Sequence, residues 1–321
     1  GSNSVNMQIC VSQPAVAQVI IDKARALFTA YPTLETFGII PNDGSIGWCQ
    51  NPDCLAWDGA QEGTATYSNR LIRLVNTVAD ALAAEYPDKM FLTLAYDNYR
   101  EPPDIEISPN VAIRLTTTGR NFLKKLTDPT DPSNALIMRQ LQGWLNKAEH
   151  VTLYEYYYFS GVDYAPSPIA RTLCEEYPEL LAAGLKGVVA ETLPWHWQSL
   201  RLPAYALARC GWDTSLGYDD LLNDYSAKIY GPASTSMKSY HVLYETTLRN
   251  NMSSLAMYTS AYQLFPAALT DVMSTLQGHL DEAATAVRGG SQSNSDAVQA
   301  EQEDIGQEHY LFRHQQITQL L

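Results

Sequence analysis

Short apolar runs in this chain are followed at once by acids. Thr36-Phe37-Gly38-Ile39-Ile40 leads to Asn42-Asp43, Phe91 to Tyr96 leads to Asp97-Asn98, Val151 to Tyr154 leads to Glu155-Tyr156, and Lys186 to Ala190 leads to Glu191. Hydrolysis of a glycosidic bond is chemistry that needs such carboxylates in company. One carboxyl must be protonated to release the leaving oxygen, while another stays ionised as nucleophile or as base for water. Crowding acids in a partly dry pocket separates their pKa values, so that both roles exist at one pH. Taken singly, each acid reads equally well as a helix cap or a solvated loop residue, and Asp43, followed by Gly44, as a turn residue. Glu191 ends an otherwise apolar run, where an idle carboxylate carries a desolvation cost. Asp43 or Glu191 is the expected acid, and Glu155 or Asp97 the expected base or nucleophile.

Aromatic residues gather at the same places. Trp48 lies in the loop after the first run, Tyr96 and Tyr99 flank Asp97, Tyr156 to Tyr158 follow Glu155, and Trp195-His196-Trp197 comes soon after Glu191. Such side chains stack on sugar rings and hydrogen-bond at their rims; the rival reading is packing between elements. The chain holds 20 Tyr and 6 Trp against 7 Phe, a bias toward aromatics with a polar handle. His196 reads as a general acid/base or a hydroxyl-binding donor. Arg114 and Arg120 read as contacts for a carboxylate-bearing sugar, or as members of internal salt bridges. The expected substrate-binding set is therefore Trp48, Tyr96, Tyr99, Arg114, Tyr156, Trp195, His196 and Trp197.

These residues share one location only if the apolar runs are parallel strands. Between the runs lie amphipathic helical patterns, from Pro14 to about Tyr31, from Ser68 to Tyr86, and over 135–147 and 168–183. Strands alternating with helices predict a parallel sheet with helices outside, its C-terminal strand ends facing one mouth. Pro102-Pro103 replaces a helix in one connection. Counting Gln8-Ile9-Cys10 as the tail of a further strand, an eight-stranded barrel is still short on its N-terminal side. Gly1-Ser2 reads as a cloning remnant, so the absent strands are expected upstream. Beyond Arg201 the strand signal ends, and helical patterns follow near 203–212, 218–230, 233–250, 266–287 and 295–319. The expected fold is α/β: a partial or complete TIM-like (β/α) barrel over residues 1–202, then an all-helical C-terminal region over 203–321.

Composition sets the outer bounds. With 321 residues, 45% of them hydrophobic and 17% charged, the chain is globular rather than disordered. A net charge of −14 argues against nucleic acid or an anionic membrane as partner, and suits neutral sugars. No apolar run is long enough to span a bilayer, so membrane insertion is not expected. The cysteines are Cys10, Cys49, Cys54, Cys174 and Cys210, an odd count that leaves at least one unpaired. Cys49 and Cys54 are near enough in sequence for a loop disulfide; a zinc site there would need two more ligands, and no His lies nearby. No metal or cofactor is expected. Neither phosphate-cradling glycine loops, nor HExxH, nor GxSxG occurs.

Several stretches resemble a known family. Gln8-Ile9-Cys10-Val11-Ser12, Phe37 to Asp43, Trp48-Cys49-Gln50 with Cys54, Leu94-Ala95-Tyr96 and Pro102-Pro103 are similar to the DUF4838 family, as are Gly187 to Glu191, Trp212-Asp213 and Tyr230-Gly231. These are bacterial proteins whose barrel resembles that of α-glucuronidase-type glycoside hydrolases. A C-x-C-x-x-C arrangement is common among them; here Cys49 and Cys54 enclose Asn51 instead. By this resemblance Asp43 matches the acid of the α-glucuronidases, an aspartate with shorter reach, and Glu155 and Glu191 match their water-activating acids. The resemblance implies a glycoside-hydrolase-like, carbohydrate-active protein of a bacterial cell envelope, periplasmic or secreted. The alternative is a non-catalytic glycan-binding or structural module, since fold alone does not establish a reaction.

Overall fold

A computed structural model describes residues 7–44, 46–58, 67–157, 166–192, 197–257 and 267–303. The chain packs as two units: Gly1–Thr116, Met138–Tyr154 and Ala183–Val189 form the first, and Thr117–Ile137, Glu155–Ala182 and Ala190–Leu321 the second.

A parallel sheet organises the first unit. Its strands are β1 (Thr36–Gly38), β2 (Met90–Ala95), β3 (Val111–Thr116), β4 (His150–Tyr156) and β5 (Val188–Glu191), side by side in chain order. The last two begin in this unit and end in the other. Phe91 sits opposite both Phe37 and Val111, and Leu115 opposite Leu153. Two-residue alternation explains the core: Phe91 and Ala95, Val111, Ile113 and Leu115, and Val151 and Leu153 all point inward and are buried. Helices α1 (Pro14–Ala30), α2 (Pro52–Trp57), α3 (Ser68–Leu82) and α4 (Pro132–Leu145) form the connections. On α3 the apolar stripe Leu71, Leu74, Val75, Val78 and Leu82 is buried as its spacing predicts. Phe28 of α1 meets the Phe37 and Phe91 rings edge-on at 6.4 and 6.0 Å. This is a partial TIM-like arrangement of alternating strands and helices.

Two expectations are corrected here. Gln8-Ile9-Cys10 is not a strand. The Gln8 side chain instead brackets the Asn42 backbone, donating to its carbonyl at 2.7 Å and accepting from its N–H at 2.9 Å. The first strand is also shorter than its apolar run, although Ile39 still donates to the Leu92 carbonyl at 2.8 Å.

The Pro102-Pro103 connection is locked by α4. Trp144 donates its indole N–H to the Arg100 carbonyl at 2.8 Å, and a Cβ on Gly143 would stand 2.5 Å from Pro102 Cγ. A helical Gly→Ala change ordinarily stabilises by about 1 kcal/mol. Here the proline ring has nowhere to go, so Gly143→Ala is expected to destabilise by about 1–2 kcal/mol. A denaturant midpoint at or above that of the parent would contradict this.

The second unit holds α5 (Ala170–Ala182), α6 (Trp197–Trp212), α7 (Tyr218–Tyr230), α8 (Ser234–Asn251) and α9 (Ala267–Ala286), with a further helical stretch over 292–303. Helix α5, ahead of residue 202, packs in this unit with the helices that follow. The Cys174–Cys210 disulfide ties α5 to α6, and Asn121 accepts from the Leu255 N–H at 3.0 Å and donates to the Ser253 carbonyl at 2.9 Å. Residues 117–137 and 155–182 therefore belong with the C-terminal helices. Cys49 and Cys54, near enough in sequence for a loop disulfide, are both free thiols.

Candidate functional site

In the first unit, Asp43 and Asp97 lie just past β1 and β2, which are adjacent and parallel, and both are solvent-exposed. Asp43 precedes Gly44, whose φ of 101° turns the chain sharply. Asp97 opens the single 3-10 turn Asp97–Tyr99 with a φ of 47°, and is alone among the described non-glycine residues in having positive φ. A small cleft lies at the end of β1, lined by Gln8, Ile39, Pro41, Asn42, Trp48 and Leu71 among others.

The aromatics of this unit are mostly core. Trp48 is only 6% exposed, stacks on Tyr67 at 4.6 Å and meets Tyr99 edge-on at 5.7 Å. The Arg70 guanidinium lies over the Tyr67 ring at 4.7 Å, pairs with Asp58, and donates to the Cys49 carbonyl at 2.8 Å. Trp48 and Tyr99, expected as sugar platforms, are both buried with neighbouring rings against them. Tyr96 is half-buried against Tyr99. Arg114 is half-buried and donates to the Thr152 hydroxyl at 3.4 Å.

Beside this aromatic knot the chain brings three thiols together. The Cys10 sulfur is 3.1 Å from that of Cys49 and 3.6 Å from that of Cys54, and the three lie within 4.8 Å of one another. Ser12 Oγ is 3.1 Å from the Cys54 sulfur. Cys10, distant in sequence, is the member that spacing alone did not bring in.

In the second unit Glu155 is fully buried. Arg120 pairs with it and holds Glu176 through bonds of 3.0 and 2.7 Å, while Tyr157 donates its hydroxyl to Glu155 at 2.8 Å and exchanges a 2.8 Å hydrogen bond with Tyr177. Burial alone lowers the Arg120 pKa, but the two carboxylates outweigh it and hold it above its ordinary value. Burial raises Glu176, with Arg120 opposing, and keeps the Tyr157 and Tyr177 phenols neutral. Of the sugar contact or internal salt bridge expected for Arg120, the salt bridge is what the structure contains. Glu155, expected as base or nucleophile, is closed off from solvent in this arrangement.

Glu191 and Tyr156 are half-buried, and the Tyr157 N–H donates to the Glu191 carbonyl at 3.1 Å. Trp197, the first residue of α6, is 50% exposed. Trp195, His196 and Tyr158 lie outside the described residues.

A second small cleft was not anticipated from the sequence; Tyr218, Tyr225, His241, Tyr244, Glu245 and Glu301 contribute to its lining. Tyr218 donates to Glu245, and the Tyr230 hydroxyl donates to Glu301 at 2.8 Å and contacts His241 Nε2 at 3.0 Å. Burial raises the Glu245 pKa and lowers that of His241, so the imidazole is neutral near neutral pH. The only local signal was His241 and Glu245, one helical turn apart on α8. Glu301 arrives from 56 residues further on.

No curated protein matches the chain. The family model for a domain of unknown function, DUF4838, matches residues 1–242 and so covers the whole sheet, helices α1 to α7 and the start of α8. The chain belongs to the DUF4838 family.

Proposed function

We propose that this protein is a glycoside-hydrolase-like, carbohydrate-active protein of a bacterial envelope, built on part of a TIM-like barrel followed by an all-helical C-terminal region. The observation that carries the reading is Asp97. An exposed aspartate at φ 47°, just past the end of a parallel strand and next to the strand that ends before Asp43, holds backbone strain of about 1–3 kcal/mol. Strain of this kind collects where a side chain must be aimed. Asp97 is the base or nucleophile in this reading, and Asp43 the acid. Glu191, half-buried at the end of its own strand, is a further candidate acid. Trp197 is the aromatic best exposed to stack on a sugar. The Cys174–Cys210 disulfide fits an oxidising, periplasmic or extracellular setting.

The test is a screen of oligosaccharides and aryl glycosides against the full chain. Asp97→Asn is expected to lower turnover by at least about a hundredfold with glycan affinity roughly kept. Full activity in Asp97→Asn, Asp43→Asn and Glu191→Gln alike would remove the proposal. A second reading, a non-catalytic glycan-binding or structural module, is favoured by Glu155 and Trp48, both committed to the core. Glycan binding without turnover in the parent protein selects it.

A further inference from the structure

Cys10 precedes α1, Cys49 lies in the loop after β1, and Cys54 is inside α2. Their convergence is enforced by backbone contacts that do not involve sulfur. Gln8 donates its N–H to the Gly47 carbonyl at 3.1 Å, Arg70 holds the Cys49 carbonyl, and the Asn51 side chain caps α2 through the Asp53 N–H at 3.0 Å. The Asn51 N–H points at the Cys49 sulfur from 3.5 Å, a contact that stabilises a thiolate. Sulfur separations of 3.1 and 3.6 Å, with all three sulfurs inside 4.8 Å, need only a slight spreading to reach the edge of about 3.8 Å that a tetrahedral ion with ~2.3 Å metal–sulfur bonds requires. Three sulfurs with one hydroxyl, and no carboxylate in the cluster, form a soft donor set that selects zinc-type ions over magnesium or calcium.

We propose that Cys10, Cys49 and Cys54 form a binding site for a thiophilic divalent cation of the zinc class, with Ser12 Oγ, or a water held by it, as the fourth ligand. Ser12 Oγ stands 3.1 Å from the Cys54 sulfur and 3.8 Å from that of Cys10, close enough to share an ion with them. Binding displaces the thiol protons to solvent and clamps the loop carrying Trp48 to the segment ahead of α1. The same chain carries a disulfide at Cys174–Cys210, which fits an oxidising setting; ligation would keep these three thiols from pairing with one another there. The site does not depend on the glycan reading, and its test involves no sugar.

Metal-free full-length chain, with its disulfide intact, is titrated with Co²⁺ and then with Zn²⁺. One equivalent of Co²⁺ is expected, with the thiolate-to-cobalt charge-transfer band and the visible bands of a tetrahedral ion, all displaced by one equivalent of Zn²⁺. Cys10→Ser and Cys49→Ser should each abolish the charge-transfer spectrum, while Ser12→Ala should weaken binding by about tenfold and keep it. Where a cysteine variant fails to fold by circular dichroism, the charge-transfer intensity of the parent protein still counts the sulfur ligands. Less than one equivalent bound, an octahedral spectrum, binding unchanged in both cysteine variants, or a disulfide among the three in freshly isolated protein would each overturn the proposal.

Discussion

Replacing Arg120 by methionine is expected to destabilise the second unit by about 3–5 kcal/mol at neutral pH, because it leaves two wholly buried carboxylates without a cation. The loss should depend on pH. Burial already raises Glu176, and Arg120 is the chief influence holding it down. Without the guanidinium its folded-state pKa climbs further above the unfolded value of about 4.3. A carboxyl raised in the fold binds its proton more tightly there, so stability is full below the unfolded pKa and is lost as pH rises through the folded one. The variant should therefore approach the parent near pH ~4 and fall furthest behind above neutrality. Denaturant midpoints measured at acidic and neutral pH check this. Adding Glu155→Gln and Glu176→Gln should recover most of the stability and flatten the pH dependence, since the buried charge is then gone. Equal midpoints for parent and Arg120→Met at neutral pH would mean that the ion pairs contribute nothing.

Removing the Cys174–Cys210 bridge should cost a similar amount by a different route. The bond closes a loop of 36 residues, and the chain-entropy relation assigns such a loop roughly 4 kcal/mol at 25 °C. Both sulfurs are buried between α5 and α6, so the double variant Cys174→Ala, Cys210→Ala loses little packing beyond the sulfurs. Its melting midpoint is expected to fall by on the order of 10 °C. The entropic origin has its own signature: the folding rate falls more than the unfolding rate rises, provided the loop is closed in the transition state. A drop of only a degree or two would show that the bridge fixes a loop already ordered in the unfolded chain. The thiol cluster supplies a control within the molecule, because Cys10, Cys49 and Cys54 are unchanged in this variant.

The two effects share a lesson about the candidate acids. Glu155 and Glu191 looked alike as strand-end carboxylates, yet one is sealed against Arg120 and the other is half-buried. An ion pair buried on all sides is costly to disturb, which suits a positioning group and not one that must shed and recover a proton. Asp43 and Asp97 remain open to solvent at the ends of adjacent strands.

Much of the secondary structure was legible from local pattern. Short apolar runs between helical patterns located β2, β3 and β4, helical spacing delimited α7 at Tyr218–Tyr230, and α9 ran within a residue of its expected bounds. Periodicity fails where a local signal has two meanings. Pro203 reads as a helix start, yet α6 begins at Trp197 and carries that proline within it. Burial of single side chains was beyond reach for the same reason: Trp48 and Trp197 have similar loop settings in sequence, but one is stacked on Tyr67 and the other opens to solvent.

The sequence by itself determined the alternation of strands and helices, the acids that end the strands, and kinship with the DUF4838 family, because each is written in patterns a few residues long. Tertiary structure alone decided that Cys174 pairs with Cys210, that Cys10 joins Cys49 and Cys54, and that Glu155 faces Arg120. Partner choice among distant residues depends on which surfaces the packed core brings within a few ångströms, and spacing along the chain does not record that distance.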